Sequence, residues 1–226
     1  IAAHPDDIET CAGGTLAKWS AAGSEIYYVM ITNGDKGTHN RSITEKELGP
    51  IRQQEQIAAG KVIGVKDIFF LNVTDGGVTN DVKLRYYLTY YVRLVRPTVL
   101  LTWNPTYHFS LYKLGLEHSD HRTSGAASLD TVWPTAADFL YFPEQNLEPY
   151  RPSQVLLFRF WNDDAYRSPQ ENIFVELSEQ HLETKIQAIF QHKSQIKNAN
   201  EQKEEREFLT NMATRLGKPE NTKYAE

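Results

Sequence analysis

The 226-residue sequence has a single cysteine, Cys11. That excludes an internal disulfide and any structural zinc site built on several thiolates. A basic excess is also missing: 24 lysines and arginines stand against 29 aspartates and glutamates, a net charge of -5. Such a balance gives no electrostatic case for nucleic acid or an anionic membrane as partner. No apolar run approaches the roughly 18 residues of a membrane span, and no signal peptide is visible, so a cytoplasmic location is expected. There is no internal repeat, low-complexity segment or linker. What remains is an ordinary globular composition, 40% hydrophobic and 23% charged, in a length that suits one domain over residues 1–226. Homo-oligomerisation is left open.

The chain alternates between strand and helix patterns. Residues 1–3 read as the tail of a buried strand. Helices are predicted over Thr15–Ala22, Ile51–Ile63, Asp81–Val95, His121 to about Ala137, Ser178 to about Ile196, and Glu201–Leu216, the last a charged helix packed on the domain. Strands are predicted over Glu25–Thr32, Asp67–Asn72, Thr98–Trp103, Ser153–Trp161 and Asn172–Leu177. Gly64 is a helix stop, Ser178 an N-cap, and Thr44 with Glu47 has capping-box spacing, although Pro50 would also suit a helix start there. The pair Gly13-Gly14 lets the backbone pass close to something. Alternation of this kind predicts a three-layer α/β/α Rossmann-like sandwich with a mostly parallel sheet. The loops after Ala3, Thr32, Asn72 and Trp103 then share one sheet edge, where α/β folds bind ligands.

Two clusters at that edge carry chemistry. The first is His4-Pro5-Asp6-Asp7, the second His118-Ser119-Asp120-His121. Catalytic zinc takes three ligands from His, Asp and Glu and keeps a position for water. His4, Asp7 and His121 supply that set, with Pro5 stiffening the turn between the first two. A His/His/Asp set would also accept iron or cobalt. Bound metal lowers the pKa of its water from about 15.7 toward roughly 7. Asp6, off the metal, is the candidate to take the proton. His118 is the candidate to stabilise the oxyanion and protonate a leaving amine, with Asp120 orienting or tuning it. The reaction class is metal-assisted hydrolysis of an amide or an ester. Each residue also has a plainer role open to it: Asp7 as an N-cap, Asp6 as a solvated carboxylate, Arg52 as the partner of Glu47 or Glu55, and His192 as a core-edge histidine.

Ala3-His4-Pro5-Asp6-Asp7 with His118-x-Asp120-His121 resembles the LmbE/PIG-L family of zinc-dependent N-deacetylases. Gly13-Gly14, the Thr32–Gly37 loop, Arg52-x-x-Glu55, Asp75-Gly76 and Lys185…His192-x-Ser194-Gln195 agree with it in order, over about Ile1 to Gln195. Ser119 departs from the proline that many relatives carry. The resemblance implies Zn2+ on His4, Asp7 and His121, Asp6 as general base, His118 and Asp120 as the stabilising pair, and Arg52, Asp35 and Asp75 lining a sugar pocket. The substrate it implies is an N-acetylglucosamine conjugate that loses its acetyl group. The loop from Asn104 to Glu117 is not covered and would shape substrate choice. Two other readings stay open: an amidase of a larger sugar-amine conjugate on the same metal site, and a sugar-binding module without turnover.

Overall fold

The structure, a computed structural model, describes residues 1–106, 117–158 and 173–226. In chain order its main elements are α1 (Asp7–Ala21), β1 (Tyr27–Thr32), α2 (Glu45–Ile63), β2 (Asp67–Val73), α3 (Val82–Val95), β3 (Val99–Trp103), α4 (Ser119–Asp130), β4 (Gln154–Phe158), β5 (Glu176–Leu177), α5 (Glu179–Ile189), α6 (Ala199–Gly217) and β6 (Tyr224–Ala225). They fall into two compact units. One comprises Ile1–His4, Tyr27–Asn33 and Phe69–Arg159, the other Pro5–Ile26, Gly34–Ile68 and Phe160–Glu226.

The first unit is built on strands. Residues 1–3 lie beside β1: Ala2 bridges Met30 in parallel, and Ile31 N–H donates to Ala2 O at 2.9 Å. On their other side the Ile1 nitrogen donates to Leu101 O at 2.8 Å. With β2 next to β1 and β4 parallel to β3, the order is β2, β1, residues 1–3, β3, β4. The order reverses between residues 1–3 and β3, and such a switch point is where open α/β sheets bind ligands. Five of the six β1 residues are buried, as the unbroken apolar run of that strand requires. Val29 and Ile31 pack against Leu84 and Leu88 of α3 and Ala127 of α4. Gly125 sets the spacing of α4: a Cβ there would stand 2.2 Å from Trp103 O.

In the second unit α1 packs on α5, and α2 packs on α5. The helix start predicted at Thr15 lies instead at Asp7, so Gly13 and Gly14 are inside α1. Two glycines in a helix cost about 1 kcal/mol each against alanine. Close packing offsets this: a Cβ on Gly14 would lie 2.4 Å from Leu177 Cδ1, and one on Gly13 3.1 Å from Lys185 Cγ. The close passage read from the glycine pair is thus helix against strand and helix. α2 begins at Glu45 and contains Pro50, because the Glu47 carboxylate accepts from Thr44 N–H (2.8 Å) and Oγ1 (2.7 Å) and secures the first turn. Gly64 ends α2 at φ +88°. Leu182, Ile186 and Ile189 of α5 meet Leu209 and Ala213 of α6.

Three further predicted boundaries shift. α4 starts at Ser119 rather than His121, because His118 Nδ1 accepts from Asp120 N–H at its N-terminus. Its regular part stops at Asp130, before a turn in which Trp133 is extended. α5 ends at Ile189, short of Ile196, because the following residues are pulled to other elements: Ser194 N–H and Oγ donate to Glu55 (both 2.6 Å), and Gln195 Nε2 to Gly37 O (3.0 Å). The predicted strand reaching Trp161 extends outside the described residues, as does most of the Asn104–Glu117 loop; of the strand predicted over Asn172–Leu177, the described residues form only Glu176–Leu177. No described helix is long and apolar enough to cross a membrane.

Candidate metal centre

Three strand ends of the first unit deliver side chains to one place. His4 follows residues 1–3, Asp75 follows β2, and His118, Asp120 and His121 open α4. His4 Nδ1 and His121 Nε2 face each other at 3.2 Å, both residues buried. The outer nitrogens of both rings meet carboxylates. His4 Nε2 is 3.2 Å from Asp75 Oδ1 and 3.4 Å from Asp120 Oδ2, and His121 Nδ1 bonds Glu117 Oε1. A carboxylate accepts only, so the Glu117 bond places the His121 proton on Nδ1 and leaves its Nε2 as the acceptor that faces His4. Two imidazole nitrogens 3.2 Å apart share one proton between them, and a cation can take that proton's place. Metal-bound histidines are oriented in this way, by a carboxylate on the far nitrogen. The donor set fits a metal ion. Among the described residues, His4, His118 and His121 can converge on one ion, as can His4, Asp75 and Asp120.

The surroundings fix these rings. His121 stacks on Trp103, centroids 3.7 Å apart and planes within 8°, a contact that the bare backbone of Gly125, one turn along α4, makes room for. The Asp120 carboxylate accepts from Gly76 N–H (2.7 Å) and Val78 N–H (3.3 Å), tying α4 to the Asp75 loop. Burial alone would raise the Asp120 pKa. The hydrogen bonds from His4 and Gly76, with the His4 and His118 charges, bring it below the ordinary value instead. His118 is the exposed member of the three imidazoles. Burial, then the charges of His4 and His121, lower its pKa, against the opposing pull of Asp120 and Asp75.

The other candidate residues belong to the second unit. Asp7 is the buried first residue of α1, and the N-cap position is held by Asp6, not Asp7. Asp6 sits at φ +90°, ψ -22°, and makes no side-chain cap bond. A left-handed non-glycine residue of this kind costs of order 1–3 kcal/mol unless its surroundings hold it. Its main chain is held on both sides: Asp6 N–H donates to Gln56 Oε1 (3.0 Å), and Asp6 O accepts from Thr10 N–H (3.0 Å). Its carboxylate takes Arg52 Nη2 at 2.9 Å. Arg52 also donates to Pro5 O (2.6 Å) and Gly34 O (3.0 Å), so it reaches the Asp6 turn and the Gly34 loop rather than Glu47 or Glu55. A Cβ on Gly34 or Gly37 would stand within 2.4 Å of Arg52 Nη1, and Gly34 also takes φ +63°. Asp35 lies buried in the same turn.

Sequence reasoning missed three residues, Glu117, Glu9 and Gln56, and read His192 only as a core-edge histidine. Glu117 stood at the end of an aromatic loop, and only its i, i+4 spacing to His121 could have marked it. Glu9, Gln56 and His192 form a buried set. Gln56 Nε2 donates to Glu9 Oε1 (2.9 Å), and Glu9 Oε2 is 3.6 Å from His192 Nε2. Burial alone would lower the His192 pKa, but Glu9, with Asp6, outweighs it and raises the value against the pull of Arg52.

Comparison with known proteins gives a consistent picture. The family model described as PIG-L, GlcNAc-PI de-N-acetylase, matches residues 1–132. The sequence is 27% identical over 233 positions to diacetylchitobiose deacetylase of Thermococcus kodakarensis, covering all of this chain and 79% of that protein. It is 29% identical over 187 positions to 1D-myo-inositol 2-acetamido-2-deoxy-alpha-D-glucopyranoside deacetylase of Streptomyces scabiei, covering 72% of this chain and 54% of that protein, so it spans about half the length of that relative. The solved N,N'-diacetylchitobiose deacetylase of Pyrococcus horikoshii, in complex with its inhibitor MPG, superposes with TM-score 0.84 at 28% identity, covering 100% of this chain and 79% of that one. The α/β fold is shared with it.

Proposed function

Because the chain belongs to the LmbE/PIG-L family, whose model matches residues 1–132, we propose that it is a zinc-dependent hydrolase that removes the acetyl group from an N-acetylglucosamine conjugate. The observation that carries this reading is the facing pair His4 Nδ1 and His121 Nε2, with its outer nitrogens on carboxylates. In this reading His4, Asp7 and His121 are the metal ligands. The metal, when bound, supplies the Lewis acidity that makes water nucleophilic near neutral pH. Asp6 takes the proton of the attacking water as its oxygen bonds to the acetyl carbon. The amide C–N bond then breaks, and His118 gives a proton to the leaving amine, so that acetate and a free glucosamine conjugate result. Its greater exposure among the three imidazoles supports giving His118 the substrate side. Asp120 orients and tunes His118: its N–H donates to His118 Nδ1, and its charge pulls the His118 pKa upward. Arg52, Asp35 and Asp75 are the proposed sugar-binding residues.

The relatives act on different conjugates, a chitobiose and an inositol glycoside, so the aglycone is read by assay. Zinc-loaded protein and its Asp6→Asn variant are compared for acetate release from diacetylchitobiose, N-acetylglucosaminyl inositol and N-acetylglucosaminyl malate. Release by wild type, lost by about 10²–10⁴-fold in Asp6→Asn with zinc retained, is the expected result. Inactivity of zinc-loaded wild type on every acetyl sugar would overturn the reading. Activity confined to bulkier acyl amides would then indicate the larger amidase, and sugar binding indifferent to chelator would indicate a binding module.

A further inference from the structure

The buried set in the second unit reaches Asp6 from behind. Glu9 and Gln56 are fully buried and His192 is 1% exposed, a costly place for a carboxylate, an amide and an imidazole that touch no solvent. We infer that Gln56, oriented by Glu9 and backed by His192, is a positioning relay that fixes the main chain of Asp6 in its left-handed conformation and so aims the carboxylate. This rests on the proposed role of Asp6 as general base.

The relay has one orientation. Glu9 Oε1 only accepts, so Gln56 must turn its Nε2 toward it, at 2.9 Å. Gln56 Oε1 is then left facing Asp6 N–H, at 3.0 Å. A flipped amide would set acceptor against acceptor at Glu9 and donor against donor at Asp6. His192 stands at the far end, its Nε2 3.6 Å from the second Glu9 oxygen, a charge contact longer than a hydrogen bond. It comes from the segment just after α5, which is itself fastened by Ser194 to Glu55 and by Gln195 to Gly37 O. The front of Asp6 is set independently by Arg52 on its carboxylate. A base held by main chain and side chain separately keeps one direction, which proton transfer at a fixed water requires.

Two readouts on the full, zinc-loaded chain test this. The first is hydrogen exchange of the Asp6 amide, and the second is the separation of kcat from KM in acetate release. In Gln56→Met, of similar volume, the Asp6 amide is expected to exchange at least about tenfold faster, and kcat to fall roughly 10–100-fold, the scale of a small misplacement, with KM and zinc content unchanged. Glu9→Leu, which removes the group that orients Gln56, is expected to follow it. Glu9→Gln, which keeps an acceptor oxygen, is expected to recover most of the amide protection. That pair decides the question should Gln56→Met fold poorly. Wild-type exchange and kcat in Gln56→Met, or a Glu9→Gln variant no better than Glu9→Leu, would overturn the relay. So would parallel loss of KM, zinc and melting temperature. If wild type releases no acetate at all, the deacetylase reading fails, and Asp6 exchange alone still decides the relay.

Discussion

Replacing Glu117 by leucine removes the acceptor of the His121 Nδ1 proton. Glu117 is 9% exposed and His121 4%, so water cannot readily substitute. A buried donor left without a partner costs about 1–3 kcal/mol. The imidazole can avoid that cost by moving its proton to Nε2, the atom that faces His4 across 3.2 Å, but a metal must then displace the proton or accept a turned ring. Either way the penalty falls on the metal-bound form. At about 1.4 kcal/mol per tenfold, it corresponds to a roughly 5- to 150-fold weaker zinc affinity, in line with the 10–100-fold typical of such supporting carboxylates. Glu117→Gln keeps an acceptor oxygen, loses only the charge, and should fall between wild type and leucine. The assay is competition for zinc against a chromophoric chelator of known affinity, with the metal-free melting temperature as a control for folding. A leucine variant that binds zinc within twofold of wild type would refute the tautomer argument. So would glutamine and leucine variants that are equally weak.

Gly125→Ala sets a Cβ 2.2 Å from Trp103 O and 2.9 Å from Trp103 C, backbone atoms that cannot step aside. α4 must shift, at about 1–3 kcal/mol, taking His121 off the Trp103 ring, so denaturation midpoint and zinc affinity should fall together; loss of one without the other would contradict the placement. Asp81→Ala removes the acceptor of Leu84 N–H at the start of α3 and should lower stability by about 1 kcal/mol. The Leu84 hydrogen bond leads in holding the Asp81 pKa below its ordinary 3.8. A depressed folded pKa gives stability that is present above 3.8 and lost as pH falls through the folded value. The gap between wild type and variant in urea titrations should therefore be constant near pH 6 and close below about pH 4; a gap that stays open in acid would mean the cap does not act through its charge.

Local chemistry made the outline legible. Period and turn residues mark the strands, the Thr44–Glu47 box and the Gly64 stop, because each is decided by neighbours a few residues away. The two histidine clusters could be read as partners because strand ends of a parallel sheet share an edge, and the structure does bring His4, His118, Asp120 and His121 together in one unit. Chain order could not tell which carboxylates stand behind them. Glu117 reaches His121 from a loop without periodic pattern. Asp120 meets His4, 116 positions away in sequence. Gly13 and Gly14 look like a loop until Leu177 and Lys185 press on them. Arg52 reads as a helix-surface partner of Glu55 until Pro5 O, Gly34 O and the Asp6 carboxylate appear around it. Glu9, Gln56 and His192 have unremarkable spacing and become a relay only when α1, α2 and the segment after α5 are packed. Which residue types supply the chemistry, and at which strand ends, is local information that can be read along the chain. How those groups are protonated, oriented and held was decided only by tertiary structure, because a buried polar atom takes its partner from whatever element packing brings within 3 Å or so of it.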